Sequence, residues 1–90
     1  MVLEDWVRLV YVFYIKEKRY WFTLEDFAYF VWSYQRRRVS VRTIENNLEK
    51  MARKGYIKKV YARWVNEWGL PVKRKRYMII LSRVKEVATR

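Results

Sequence analysis

Between residues 3 and 18, Leu3, Val7, Val10 and Tyr14 recur at the spacing of an α-helix and define one apolar face. Leu9, Val12 and Ile15 lie elsewhere on the same cylinder, so this helix is apolar on more than one side and calls for a second packing partner. Val7, Val10, Val12 and Ile15 are β-branched and would also tolerate a strand, but the spacing favours a helix. It should end between Lys16 and Arg19, where cations suit a helix C-terminus. Thr23-Leu24-Glu25-Asp26 then reads as a capping box with Asp in the usual place of Glu. Leu24, Phe27, Ala28 and Val31, with Tyr34 at the margin, give that second helix its inward face, and it should stop near Tyr34 or Gln35. Ser40 opens the best-defined helix. Val41, Ile44, Leu48, Met51 and Ala52 form one stripe, and Arg42, Asn46, Glu49, Lys50 and Arg53 form the opposite one. Gly55 can take the left-handed conformation that closes it. Beyond Gly55 the period shortens. Tyr56–Val65 and Arg74–Leu81 read as strands, with Tyr77, Ile79 and Leu81 on one face of the second and Met78 and Ile80 on the other. Asn66–Val72, with Gly69 and Pro71, reads as the turn of an antiparallel hairpin. Ser82 is placed to cap a short helix from Arg83 to about Thr89.

The predicted order is helix, helix, helix, strand, strand, short helix, an α+β chain that is mainly α. At 90 residues it should form a single domain, residues 1–90. An apolar fraction of 52% is ample for a core and argues against disorder. No apolar run approaches the roughly 18 residues that would span a bilayer. The short stretch Leu9–Ile15 follows Glu4, Asp5 and Arg8, unlike a secretory signal, so an intracellular (cytoplasmic) protein is expected. Cysteine and histidine are absent, which removes disulfides, zinc sites, thiol nucleophiles and histidine acid–base chemistry. One Gln and three Asn among many charged residues suit a heat-adapted source.

Charge changes the picture most. Residues 1–34 carry four Lys/Arg against five Asp/Glu, whereas residues 35–90 carry seventeen against four. One end is nearly neutral and aromatic, and the other is strongly basic. A generally basic surface would serve solubility, but solubility does not require segregation. A segregated positive field attracts a polyanion, most commonly nucleic acid.

Against that background, Val39-Ser40-Val41-Arg42-Thr43-Ile44-Glu45-Asn46-Asn47-Leu48-Glu49-Lys50-Met51-Ala52-Arg53-Lys54-Gly55-Tyr56-Ile57 resembles the recognition helix of winged helix-turn-helix DNA-binding proteins. Lys75-Arg76-Tyr77-Met78-Ile79-Ile80-Leu81-Ser82 is similar to the last wing strand of that family, and Thr23-Leu24-Glu25-Asp26-Phe27-Ala28 looks like the start of its supporting helix. The resemblance covers about residues 20–85, and in composition and style it points to small archaeal or archaeal-virus members. It implies three helices, a two-stranded β-hairpin wing and a short C-terminal helix, with the recognition helix at about 40–54 and the wing at about 56–81. Two features depart from the family. The path from Ala28 to Ser40 is long and contains Arg36, Arg37 and Arg38, and Ile80-Leu81 stand where one apolar residue is commoner.

On that reading the recognition helix enters the major groove of double-stranded DNA. Arg42 is a candidate for bidentate pairing with guanine, and Asn46 for adenine. Thr43 and Asn47 are candidates for a phosphate or a thymine methyl, and Lys50 and Arg53 for phosphates. The bland alternative is an ordinary solvated helix face. Glu45 and Glu49 should point sideways or pair with cations; as a metal pair they lack a third acid or a His. Lys73, Arg74 and Arg76, with Lys75 between them and Lys58, Lys59 and Arg63 on the opposing strand, suit phosphate or minor-groove contact, although edge strands also carry Lys against aggregation. Arg36, Arg37 and Arg38 either grip flanking phosphates or form a solvated loop. Tyr20, Trp21, Phe22, Phe27, Phe30 and Trp32 are a core cluster more readily than a base-stacking platform, because most lie in the acidic half, away from the cations that would hold a strand. Tyr61, Trp64 and Trp68 are interleaved with cations, and Trp64 and Trp68 have three open uses: packing under the wing, a dimer contact or a sugar contact.

The expectation is a transcriptional regulator that binds duplex DNA as a homodimer through residues 3–15, with no cofactor, metal or small-molecule ligand and no enzymatic activity. The alternative is a winged-helix RNA-binding or protein-interaction module.

Overall fold

The helical spacing at the start of the chain becomes α1 (Leu3–Glu17) in a computed structural model that describes residues 2–90. It is followed by β1 (Trp21–Phe22), α2 (Leu24–Gln35), α3 (Val41–Arg53), β2 (Ile57–Val65), β3 (Pro71–Ile79) and α4 (Leu81–Ala88). The described residues therefore form four helices and a three-stranded antiparallel sheet in the order β1-β3-β2.

The caps explain the boundaries. Thr23 Oγ1 accepts the Asp26 N–H at 3.2 Å, and the Asp26 carboxylate accepts the Thr23 N–H at 3.1 Å. Two orphan donors at the start of α2 are satisfied this way. Ser40 Oγ accepts the Thr43 N–H at 3.2 Å and opens α3. Gly55 takes φ 83° just after that helix, where a left-handed residue lets the chain turn into β2.

The sheet differs from the expected two-stranded hairpin. Trp21 pairs with Met78 and Phe22 with Tyr77, so β3 is flanked on both sides. Two residues are too few to show an alternating pattern, and that third strand was invisible to periodicity. The hairpin is also longer than expected, because Trp64↔Val72 and Val65↔Pro71 still pair and the loop shrinks to residues 66–70. Pro71 fits as the first residue of its strand, where its missing N–H does least harm. At the other end Ser82 is not a cap. The N-cap is Ile80, which makes no side-chain capping bond. The Ile79 and Ile80 N–H groups are still bound to the Tyr20 and Tyr56 carbonyls, at 2.7 and 3.0 Å. The chain thus passes from strand to helix without a loop, and Leu81 joins α4 instead of the β3 face.

The core is one cluster drawn from every element. Phe13, Phe22 and Phe27 meet at its centre, with ring centroids 4.9–6.1 Å apart. Tyr77 stacks on Phe22 at 5.6 Å. Phe22, Phe27 and Phe30 are buried, Trp21 and Trp32 are half-buried and Tyr20 is exposed, so this aromatic group is core with a rim and not a flat platform. The second partner that α1 required is α4, which packs along it and buries Val84 and Val87. No helix among the described residues is long and apolar enough to cross a membrane.

Candidate nucleic-acid interface

The helical period sorts α3 into two sides. Ile44, Leu48 and Met51 are fully buried. Arg42, Asn46, Lys50 and Arg53 are exposed on the opposite side, so the structure brings these four together. Thr43 and Asn47 lie on one flank. Asn47 is half-buried and its Nδ2 donates to the Thr43 carbonyl at 2.8 Å. Thr43 Oγ1 accepts from Ser40 Oγ at 2.8 Å. Both side chains are thus partly engaged in their own helix.

The other flank of α3 is fastened to the hairpin. Glu49 accepts from Lys59 Nζ at 2.9 Å, from the Tyr77 hydroxyl at 3.1 Å and from Lys75 Nζ at 3.2 Å. Glu45 lies 3.8 Å from Lys75 Nζ. The bond from Lys59, followed by those from Lys75 and Tyr77, holds the Glu49 carboxyl below the usual carboxylate range despite its partial burial. Contact with Tyr77 and Glu49 keeps the Lys75 ammonium protonated well above the ordinary lysine range. Burial pushes the Tyr77 hydroxyl up to about 12. Glu45 and Glu49 therefore neutralise cations, as the sequence suggested. No group of three or more His, Cys, Asp or Glu able to hold a metal ion occurs among the described residues.

Strand alternation divides the hairpin cations. Ile57, Lys59, Tyr61 and Arg63 pair with Ile79, Tyr77, Lys75 and Lys73 on the side that meets α3. Val60, Ala62 and Trp64 pair with Arg76, Arg74 and Val72 on the reverse side. There Arg74 lies over Trp64 at 5.7 Å and Arg76 over Trp21 at 4.6 Å. Of the run Lys73–Arg76, then, Lys73 shares a side with α3, Lys75 is consumed by Glu49, and Arg74 and Arg76 face away. Arg63 is the cation that the run drew attention away from. The alternation from Ile57 was the signal that could have found it.

Arg36, Arg37 and Arg38 are exposed in the α2–α3 connection. Arg36 ends α2 with φ 52°, a left-handed conformation that costs a non-glycine residue about 1–2 kcal/mol. Arg38 lies 5.1 Å over Trp32, whose indole N–H donates to the Val39 carbonyl at 2.7 Å. The three arginines, with Tyr29 and Trp32, rim a shallow depression. Ion pairs among the described residues engage Arg8, Arg19, Lys59 and Lys75. Arg36–Arg38, Arg42, Lys50, Arg53, Arg63 and Lys73 are left without an acidic neighbour.

No protein-family model and no curated protein matches the chain. Among solved structures, a provisionally assigned transcriptional regulator from Thermoplasma acidophilum has a similar fold, with a TM-score of 0.65 and 18% identity. The match covers 97% of this chain and 78% of that one. At that identity the likeness concerns the fold alone.

Proposed function

We propose that residues 1–90 form a single winged helix-turn-helix domain that binds double-stranded DNA as a transcriptional regulator. In this reading α3 is the recognition helix and lies in the major groove. Arg42 and Asn46 face base edges, and Lys50 and Arg53 meet phosphates. The β2–β3 hairpin is the wing, with Lys73 and Arg63 on the flanking backbone. Arg36–Arg38 grip phosphates at the N-terminal end of α3. The observation that carries the reading is the outward face of α3. It bears three cations and an asparagine, no acid neutralises it, and the hairpin is locked beside it by Glu49. The structural neighbour's assignment as a regulator agrees with this.

Homodimerisation would use what α1 leaves uncovered. Trp6, Val7, Leu9, Val10 and Phe13 are spent inside the chain, so a second copy would meet Tyr11, Val12 and Ile15.

The test is selection of the full chain on random duplex DNA at two salt concentrations, followed by Arg42→Ala and Asn46→Ala on the selected site. Each change should cost about 1–3 kcal/mol and relax the preference at one base position. If both variants bind and discriminate like the parent, α3 is not the reading element. Equal binding of A-form RNA, whose deep and narrow groove excludes a helix, would also end the duplex-DNA reading.

A further inference from the structure

The far end of the hairpin is apolar where its stem is cationic. Val65, the last residue of β2, and Trp68 and Leu70 in the loop are 64%, 77% and 59% exposed, although the loop closes on its own hydrogen bonds. Asn66 Oδ1 accepts the N–H groups of Trp68 at 3.0 Å and Leu70 at 2.9 Å. The Asn66 N–H donates to the Leu70 carbonyl at 3.0 Å, and the Gly69 N–H to the Asn66 carbonyl at 2.9 Å. Gly69 supplies the left-handed φ of 76° that the turn needs. The backbone polar groups are turned into the loop, and the two large apolar side chains are turned out to water. An ordered tip that presents grease in this way marks a contact surface.

We propose, on the footing of the DNA-binding reading above, that this tip is a wedge. Trp68 and Leu70 enter the minor groove beside the major groove occupied by α3, part a base step and bend the duplex.

Reach supports the assignment. Lys75 is fixed to α3 through Glu49 at 3.2 Å. From Lys75 to Pro71 a strand rising about 3.3 Å per residue covers about 13 Å, and the loop adds a few more. A flanking minor groove lies about half a helical turn, about 17 Å, from the major-groove centre. Charge supports it too. Arg63 and Lys73 pair across the stem on the α3 side, and neither has an acidic partner. They can hold the two phosphate ridges while the apolar tip meets the groove floor. Glu67 is the only acid between residues 57 and 79, and it opposes the approach. Glu67→Gln should therefore bind more tightly with the bend unchanged.

The experiment uses the full chain and a duplex from the selection, labelled at both ends, with end-to-end energy transfer as the readout. The parent should bend it by about 20–90°. The double variant Trp68→Ala/Leu70→Ala should keep its melting temperature, because both side chains lie outside the core, and should keep the preferences read by α3, but leave the duplex straight and lose any preference at the parted step. Trp68→Phe in the parent should keep the bend. Binding without bending by the parent, or an undiminished bend with the double variant, overturns the wedge alone. Loss of self-association, or of binding to anionic vesicles, in the double variant while its bend persists also overturns it and reassigns the tip. Failure of the parent to bind duplex DNA at all overturns both readings.

Discussion

Glu49→Ala is the most telling perturbation of the framework, because one carboxylate joins α3 to both long strands. It receives hydrogen bonds from Lys59, Lys75 and Tyr77 at 2.9, 3.2 and 3.1 Å. The lysine contacts are partly solvated and contribute little. Most of the effect comes from the hydroxyl of Tyr77, a residue with 0% exposure that would lose the Glu49 carboxylate as its acceptor. A hydrogen bond to a charged group contributes about 1.5–3 kcal/mol. Alanine returns a few tenths of a kcal/mol in helix propensity. A net loss of about 2 kcal/mol should lower Tm by about 8–16 °C in a domain of this size. The pH dependence supplies a second check. Because folding lowers the Glu49 pKa, its stabilisation is fully present above the unfolded value near 4.5 and fades as pH falls through the lower folded value. Thermal melts at pH 7 and at progressively lower pH should therefore show a gap between parent and variant that starts to close at about pH 4. A gap that is absent at neutral pH, or equally wide at pH 7 and pH 2, would refute the argument that ionised Glu49 fastens the hairpin.

Two further outcomes separate packing from recognition. Leu48 is fully buried on α3, and Leu48→Ala should cost about 2–5 kcal/mol in denaturant unfolding through the cavity it leaves. Lys73→Ala should lower the slope of log affinity against log salt by about 0.9 in a titration on a fixed duplex. Arg74→Ala should leave that slope nearly unchanged, because Arg74 stacks on Trp64 on the reverse side. Equal slopes for these two variants would refute the assignment of only one face of the hairpin to the phosphates.

The helices were legible because each spans several turns and carries its own punctuation. Thr23 with Asp26, and Ser40 with Thr43, make the bonds that their spacing implied. The stripe Ile44, Leu48 and Met51 is buried where the period placed it. Local pattern failed where the decision belonged to distant parts of the chain. β1 exists because Trp21 and Phe22 find Met78 and Tyr77 more than fifty residues later. The start of α4 is set by the end of β3 and not by Ser82. The apolar excess on α1 calls for a partner, expected as a second copy of the chain, whereas α4 of the same chain packs along it, and nothing within α1 could say so. On α3, the shared exposed side of Arg42, Asn46, Lys50 and Arg53 followed from helical period alone. The cations of the hairpin did not, because a run of four hides the period-two alternation that sends neighbours to opposite sides.

That alternation changes what the net charge of +12 means. Lys73 and Lys75 are two residues apart and point to the same side, yet only Lys75 meets an acid there. The difference is distance along the strand. Glu45 and Glu49 sit one helical turn apart on α3 and reach the hairpin near its base, and beyond Lys75 no acid of the helix follows. Positive charge is therefore cancelled where helix and hairpin must pack and left bare further out. The bare cations Arg63 and Lys73 sit just short of the apolar loop, so the hairpin grades from neutral base to charged stem to greasy tip. A surface selected for solubility alone has no use for that order, because it leaves Trp68 exposed to water in the hairpin loop. It is the order that the wedge proposed above would use, with Arg63 and Lys73 on the phosphates and Trp68 and Leu70 beyond them.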